Sequence, residues 1–203
     1  MIRGFRDKKT QQFFAGKMVK EFSSFKKVAE RKLTMLDNAS DLKDLLSPPG
    51  NRLEMLKADR IGQHSIRIND QWRMCFSGRL TDRMKSKSSI ITEGEPVMIK
   101  NGMRPVHPGE ILFEEFMKPA EPPINANMLA KALDVPANRI TAIINGQRGI
   151  TGDTAVRLAT LFDTTAEFWM NLQKTYELRL AEQALPSKVR KHIEQHRGAL
   201  MSA

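Results

Sequence analysis

The sequence predicts two small domains of different class in one chain, an α+β domain followed by an all-α domain. Three observations lead to this interpretation. The chain has 203 residues, enough for two small domains. Its charge is divided unevenly, because residues 1–92 hold 20 Lys and Arg against 10 Asp and Glu, whereas residues 93–203 hold 13 of each. The pattern of apolar residues also changes from alternation to helical periodicity near Pro105.

The overall composition narrows the function classes. A hydrophobic content of 40% argues against wholesale disorder. No apolar run approaches the ~20 residues of a membrane span, and the first residues lack a signal-peptide pattern, so we expect a cytoplasmic protein. A single cysteine, Cys75, argues against a disulfide scaffold or a thiolate metal cluster, and we expect no metal and no cofactor. The net charge of +10 is typical of contact with a polyanion, although a solvated charged face is the commoner alternative.

The N-terminal residues predict a helix that packs on an antiparallel sheet. The segment from Lys17 to Asp37 places its apolar residues along one helical face. The PPG sequence at 48–50 breaks the chain, and a β-like stretch begins at Leu53. The sequences QHSIRIN and QWRMCF then alternate as two strands, with Asn69-Asp70 in the turn between them.

The predicted sheet ends one strand early. Residues 77–92, SGRLTDRMKSKSSIIT, are polar, basic and aperiodic where another strand is expected, and a sheet of so few strands is marginal. We therefore predict a first domain at residues 1–80 with its last strand missing, a linker at 81–103 and a second domain at 104–203.

The C-terminal residues predict five or six helices. Each predicted helix begins at a residue suited to a helix start. The predicted first or capping residues are Pro108, Asn125 or Asn127, Pro136, Thr151 and Thr165, and a last basic helix runs from Ser187 to His196.

Two of these helices, MLAKALDV and ANRITAII, have the spacing of a helix-turn-helix, whose second helix enters the DNA major groove. Ala130, Leu133, Ile140 and Ile144 are expected to pack the two helices together. The remaining polar side chains would reach base edges or phosphates. The candidate DNA-binding residues are Asn127, Asn138, Arg139, Thr141, Asn145 and Arg148. A helical hairpin without a DNA role is the alternative.

Three longer motifs carry a family resemblance. RPVHPGEILFEEFMKP, NANMLAKALDVPANRITAIINGQRGITGDTAVRLATLF and TAEFWMNLQKTYELRLAE occur in this order and resemble the HigA antitoxins, Cro/C1-type (XRE) regulators, over about residues 98–184. The resemblance implies a homodimer that binds a palindromic operator, represses its own operon and neutralises a cognate toxin. The DNA contacts that the resemblance implies are Asn138, Arg139, Thr141, Asn145 and Arg148. It also implies core or dimer packing by Phe168, Trp169, Leu172 and Tyr176.

The basic half carries a second resemblance. PGNRLEMLKADRIGQHSIRINDQWRMCF is similar to the HigB toxins of the RelE-like fold, which implies metal-independent cleavage of mRNA on the ribosome by 2′-OH attack. That chemistry needs cations at the phosphate and an acid–base pair. The candidate catalytic cations are Lys57, Arg60, Arg67 and Arg73, and Glu54 stands where some relatives carry a histidine. The family's V-E-I-V-D-Y-H-like tail, which contributes to the site, is absent.

The missing tail is recovered in another reading frame. Thr81–Thr92 can be encoded so that reading from the last base of each codon gives Gly-Pro-Asp-Glu-Val-Glu-Ile-Val-Asp-Tyr-His and then a TGA stop. We therefore interpret the linker as a frameshift junction that fused two genes, with Met98 as a candidate start of a separate antitoxin. A natural linker of low complexity is the alternative.

These interpretations predict a DNA-binding antitoxin and transcriptional autorepressor fused to an inactive mRNA interferase. One alternative is an active ribosome-dependent endoribonuclease restrained in cis by its fused antitoxin. Another is a scaffold that captures intact toxin. The expected partners are palindromic operator DNA, a second copy through the antitoxin half and a HigB-type toxin, with ribosome and mRNA only for an active toxin half, and no membrane.

Overall fold

The computed structural model of the chain describes Ile2, residues 4–77 and residues 99–201. Residues 4–77 are called the N-terminal half below, and residues 99–201 the C-terminal half. Of residues 77–92, where another strand is expected, only Ser77 is described, and of the predicted frameshift junction at 81–103 only residues 99–103 are described. Within the described part, the N-terminal half is α+β and the C-terminal half is helical, as the sequence predicts.

The N-terminal half contains helices and a small antiparallel sheet. Its described elements are α1 (Lys8–Phe14), a 3-10 segment (Lys20–Phe25), α2 (Lys26–Asn38), α3 (Lys43–Leu46), β1 (Glu54–Met55), β2 (Gln63–Arg67) and β3 (Arg73–Ser77), with shorter 3-10 turns at Pro49–Asn51 and Ala58–Arg60. The strand order is β1-β2-β3, and the register pairs Arg67 with Arg73. In the turn, Asn69 Oδ1 accepts from the backbone N–H of Trp72 at 2.8 Å, which confirms the predicted hairpin.

The start of this half differs from the prediction in two places. The stretch before α2 forms 3-10 turns, so the α-helix begins at Lys26 and not near Lys17. Sequence periodicity also missed α1. Asp7 caps α1, because its carboxylate accepts from the backbone N–H of Lys9 at 3.2 Å and of Thr10 at 2.8 Å.

The C-terminal half contains six described helices. They are α4 (Pro108–Ile111), continued by a π-helical turn (Leu112–Met117), α5 (Ala126–Ala132), α6 (Ala137–Ile144), α7 (Gly152–Phe162), α8 (Ala166–Ala184) and α9 (Ser187–Met201). The predicted caps are present at α5 and α8, where Asn125 accepts from Met128 N and Thr165 accepts from Phe168 N. No described helix is both long and apolar enough to cross a membrane.

Buried apolar side chains from both halves form one core cluster. In the C-terminal half, Trp169 lies with its ring centroid 4.9 Å from that of Phe116 and 5.3 Å from that of Phe168. Its indole N–H donates to Thr164 Oγ1 at 2.9 Å, so the buried polar atom is satisfied. Phe168, Trp169 and Leu172 are therefore core residues of this chain.

Helix α2 is covered on nearly all sides. Its apolar residues join the core cluster. The polar side chains of Glu30, Arg31 and Lys32, outside the apolar stripe, are only 2%, 7% and 2% exposed because the C-terminal half covers them. A one-sided apolar pattern indicates a polar face in water, so the sequence pattern alone does not predict this burial.

Helix α3 connects the two halves through a buried carboxylate. Asp44 accepts from the backbone N–H of Thr165 at 2.6 Å and from its hydroxyl at 2.9 Å, at the N-terminus of α8. It also accepts from the backbone N–H groups of Ser40 and Asp41. Burial raises the pKa of Asp44, whereas these hydrogen bonds stabilise its charged form. A carboxylate here also complements the positive end of the α8 dipole.

We expect Asp44→Ala to lower the free energy of unfolding by about 2–4 kcal/mol, because four donors lose their acceptor and the end of α8 loses its anion. Urea unfolding followed by circular dichroism measures the change. Asp59→Ala is the matched control, since Asp59 is exposed and its loss should change stability by less than about 0.5 kcal/mol. Equal stabilities of the two variants would contradict the assigned role of Asp44.

Candidate nucleic-acid interface

Helices α5 and α6 pack together as the helix-turn-helix spacing predicts. Ala130, Leu133 and Ile140 are buried between them, as expected, but Ile143 takes the fully buried position and Ile144 is only partly buried. The turn passes through Asp134, whose φ of 52° lies in the left-handed region that aspartate tolerates better than most residues.

The side of α6 away from this packing carries the predicted DNA contacts. Asn138, Thr141 and Asn145 are exposed and lie on one helical face, because they are spaced three and four residues apart. Asn127, at the start of α5, and Arg148, in the loop after α6, are also exposed. Five of the six candidate residues are thus accessible on α5, on α6 and in the following loop.

The sixth candidate, Arg139, is held by an acidic neighbour. Its Nη1 lies 2.7 Å from Asp153 Oδ2, and Arg157 Nε lies 3.0 Å from the other oxygen of the same carboxylate. Hydrogen bonds from Arg157 and then from Arg139 lower the pKa of Asp153. Arg139 is therefore partly covered and bound to a carboxylate, whereas the other five candidates are exposed.

Arg157 also supports the turn, since its Nη1 donates to the carbonyl of Leu133 at 2.7 Å, where α5 ends. Asp153 and Arg157 were not among the residues predicted from the sequence. Their four-residue spacing on one helix could have indicated an ion pair between them.

The start of α4 supports the far end of α6. His107 Nδ1 accepts from the backbone N–H of Gly109 at 2.9 Å, and its ring contacts that of Tyr176 edge-on at a centroid distance of 4.8 Å. A Cβ on Gly109 would lie 1.8 Å from the carbonyl oxygen of Ile143, so only glycine allows α4 to approach α6 this closely. Burial lowers the pKa of His107, against a smaller opposing effect of Glu110.

The candidate catalytic cations of the N-terminal half lie on the sheet and the turn before it. Arg73 contacts Glu54 at 3.3 Å and donates to Ser65 Oγ at 2.9 Å, while Arg67, opposite it in the register, pairs with Asp70. Arg60, three residues before β2, donates to Gln63 at the other end of that strand.

The four cations lie along β2 and the turn before it. Arg60 binds Gln63 at the start of β2, and the Arg73 guanidinium reaches Ser65, two residues further along the same strand, while Arg67 pairs with Asp70 at its end. Lys57 is exposed near the Arg60 end. For metal binding, no cluster of three or more His, Cys, Asp or Glu side chains occurs among the described residues.

Comparison with known proteins separates the chain into the same two parts. The sequence model of the RelE-like toxin of the type II toxin–antitoxin system HigB matches residues 3–83, and a helix-turn-helix family matches residues 124–169. Toxin HigB-1 of Vibrio cholerae is 40% identical over 78 residues, which are 37% of this chain and 82% of that protein.

The C-terminal part has its own relatives. Virulence-associated protein I of Dichelobacter nodosus is 51% identical over 84 residues, 41% of this chain and 76% of that protein. Antitoxin HigA-1 of Vibrio cholerae is 38% identical over 81 residues, 40% of this chain and 74% of that protein. A solved structure of Pseudomonas aeruginosa antitoxin HigA with the higBA promoter is 48% identical, covers 45% of this chain and 94% of that chain, and has a TM-score of 0.40.

We expect the contribution of His107 to stability to depend on pH. Because its pKa in the folded protein is lowered from 6.5, the neutral ring stabilises the fold above about pH 6.5, and this stabilisation is lost as the pH falls through the lowered pKa. His107→Asn keeps a cap acceptor that does not titrate. The stability advantage of the parent over this variant should therefore shrink between pH 7 and pH 5, as measured by urea unfolding. His196→Asn, at an exposed position, is the control; an advantage independent of pH would contradict the role of His107.

Proposed function

This chain belongs to the HigB–HigA toxin–antitoxin family, as a HigB-like toxin followed in the same chain by a HigA-like antitoxin, and we propose that it acts as a sequence-specific DNA-binding repressor of its own operon. The single observation that carries this proposal is the exposed polar face of α6. Asn138, Thr141 and Asn145 are exposed on this face, which supports the proposal because the second helix of a helix-turn-helix reads base edges with such side chains.

The rest of the helix-turn-helix suits this role. Asparagine amides pair with adenine, and the exposed Arg148 lies in a loop suited to phosphate contact. Arg139 is proposed to exchange its partner on DNA binding. A phosphate or a guanine edge would compete with the exposed carboxylate of Asp153 for the Arg139 guanidinium. Phosphate contacts would position the protein on the DNA backbone, and the asparagine contacts would read the bases.

A palindromic operator requires two recognition helices. We propose a homodimer through the C-terminal half, which would place its two α6 helices one DNA turn apart, about 34–36 Å. The late part of α8 and the helix α9 offer apolar surface for such contact. The exposed apolar residues there are Leu178, Leu180, Leu185, Val189 and Ile193, with exposures from 37% to 57%.

The N-terminal half is proposed to be a toxin remnant without nuclease activity. Arg67 and Arg73 are engaged by Asp70 and Glu54, and Arg60 binds Gln63, so these three guanidinium groups already have partners within the half. The encoded sequence also lacks the family's Asp-Tyr-His tail, so it does not supply the acid–base groups that transesterification needs. Binding energy for phosphate alone does not cleave RNA.

We expect Asn138→Ala to reduce the preference for operator DNA, since each lost base contact costs about 1–3 kcal/mol. Fluorescence anisotropy with the chain's own upstream DNA and with a scrambled duplex, at one fixed salt concentration, measures this preference. Arg139→Ala should act in the same direction. Lys174→Ala on α8 is the control, because it removes an exposed positive charge without touching α6. Specific repression is refuted if the parent binds both duplexes equally.

We expect the purified chain not to cleave mRNA on translating ribosomes, as assayed by primer extension beside an active ribosome-dependent endonuclease. Cleavage by the parent that is abolished in Arg73→Ala would establish the alternative, an active toxin restrained in cis. Growth arrest on expressing residues 1–98 alone would support the same alternative.

A further inference from the structure

The contact between the two halves contains a cluster of buried charges. From α2 it includes Glu30, Arg31 and Lys32, and from the C-terminal half Arg104, Glu110, Glu114 and Glu115. We call this set the interface charge cluster. The side chains of Glu30, Lys32 and Glu115 are no more than 4% exposed, and that of Arg31 is 9% exposed, so these four groups are nearly removed from water.

Glu115 is the centre of the cluster. Its Oε1 accepts from Arg31 Nε at 2.6 Å, and its Oε2 pairs with the ammonium of Lys32, which also donates to Asn51 Oδ1 at 2.5 Å. Two successive residues of α2 thus bind the two oxygens of one carboxylate. The Arg31 guanidinium also lies 3.5 Å from Glu110 and 3.7 Å from Glu114, so three carboxylates surround it.

The polarity reverses one residue earlier on α2. Here the N-terminal half supplies the acid, Glu30, and the C-terminal half supplies the cation, Arg104, at 2.8 Å. Arg104 is held in place by two further bonds to Glu110, at 2.6 and 2.8 Å. Three successive residues of α2, an acid and two cations, therefore each face a group of opposite charge on the C-terminal half.

Such a cluster discriminates between partners more than it adds to affinity. Each buried charge costs desolvation energy that its partner only balances, so a well-packed apolar contact of the same shape would bind about as well. A mismatch is expensive, because removal of one partner leaves the other charge buried and unpaired. Burial lowers the pKa of Lys32, and the nearby Glu115 acts against that shift.

We propose that the interface charge cluster selects the partner of the antitoxin half: this surface accepts a toxin helix with an acid–cation–cation triplet, as at residues 30–32, and rejects toxin helices that lack it. The fitted partner is a toxin of the same fold with that triplet. In this chain the position is filled by its own α2. The selection does not depend on DNA binding, so a failure of either proposal leaves the other intact.

The test compares matched and mismatched surfaces in the full chain. A protease site is placed within residues 78–98, the purified chain is cut, and association of the two fragments is followed by dilution. A fluorophore on Cys75, the single cysteine, reports association of the fragments through its anisotropy. Because this residue is exposed in the assembled protein, the label does not block the contact. Glu115→Leu mismatches the C-terminal side, Arg31→Met with Lys32→Met mismatches α2, and the triple variant gives a matched apolar pair.

We expect each mismatched variant to raise the apparent dissociation constant about a hundredfold or more, and the triple variant to return to within about tenfold of the parent. Lys9→Met with Glu21→Leu, which removes an exposed ion pair within the N-terminal half, should have no effect. Circular dichroism of each cut sample checks that its helices are folded. Urea unfolding of the uncut variants should give the same order.

Two results would overturn the proposal. If Glu115→Leu binds within threefold of the parent, a mismatch carries no penalty and the cluster selects nothing. If the triple variant is as weak as the single variants, the charges are needed for affinity itself and do not act as a selective match.

Discussion

The buried carboxylate of Glu115 sets the relation between the two halves of this protein. A charge removed from water requires compensation, and Arg31 and Lys32 provide it only when α2 lies against the π-helical turn at a single position. Apolar contacts alone tolerate small shifts along the helix, whereas a carboxylate bonded at both oxygens does not. Two further bonds join the halves in the same alignment: Asp44 accepts from Thr165, the cap of α8, and Asn38 accepts from Thr175.

The short segment that begins at His107 serves two surfaces. Through Gly109 it lies against the last turn of α6, and through Glu110 and Glu115 it binds α2 and Arg104. The proposed DNA-reading surface and the contact with the toxin half therefore share one helical segment. The π-helical geometry of Leu112–Met117 is consistent with contacts to both α6 and α2, since such turns often occur at functional positions.

Local sequence signals predicted the helical half well, and long-range contacts account for what they missed. Asn125, Pro136 and Thr165 act within a few residues, so their positions in the sequence predicted helix starts that the structure confirms. The burial of Arg31 depends on Glu115, which is distant in sequence, and periodicity carries no information about such a partner. The engagement of Arg139 by Asp153 was missed for the same reason, as these residues belong to different helices. The DNA-binding roles stay predictions, because exposure shows access and not recognition.

The covalent link between Ser77 and Ile99 changes the thermodynamics of the contact it spans. Two separate proteins associate according to their concentrations, and dilution drives them apart. Two halves of one chain are always present in equal number, and their contact is intramolecular, so it does not depend on the protein concentration. Occupancy of the antitoxin surface is then insensitive to expression level. A mismatch that would separate two free proteins on dilution is then felt as a loss of folding stability of the one chain.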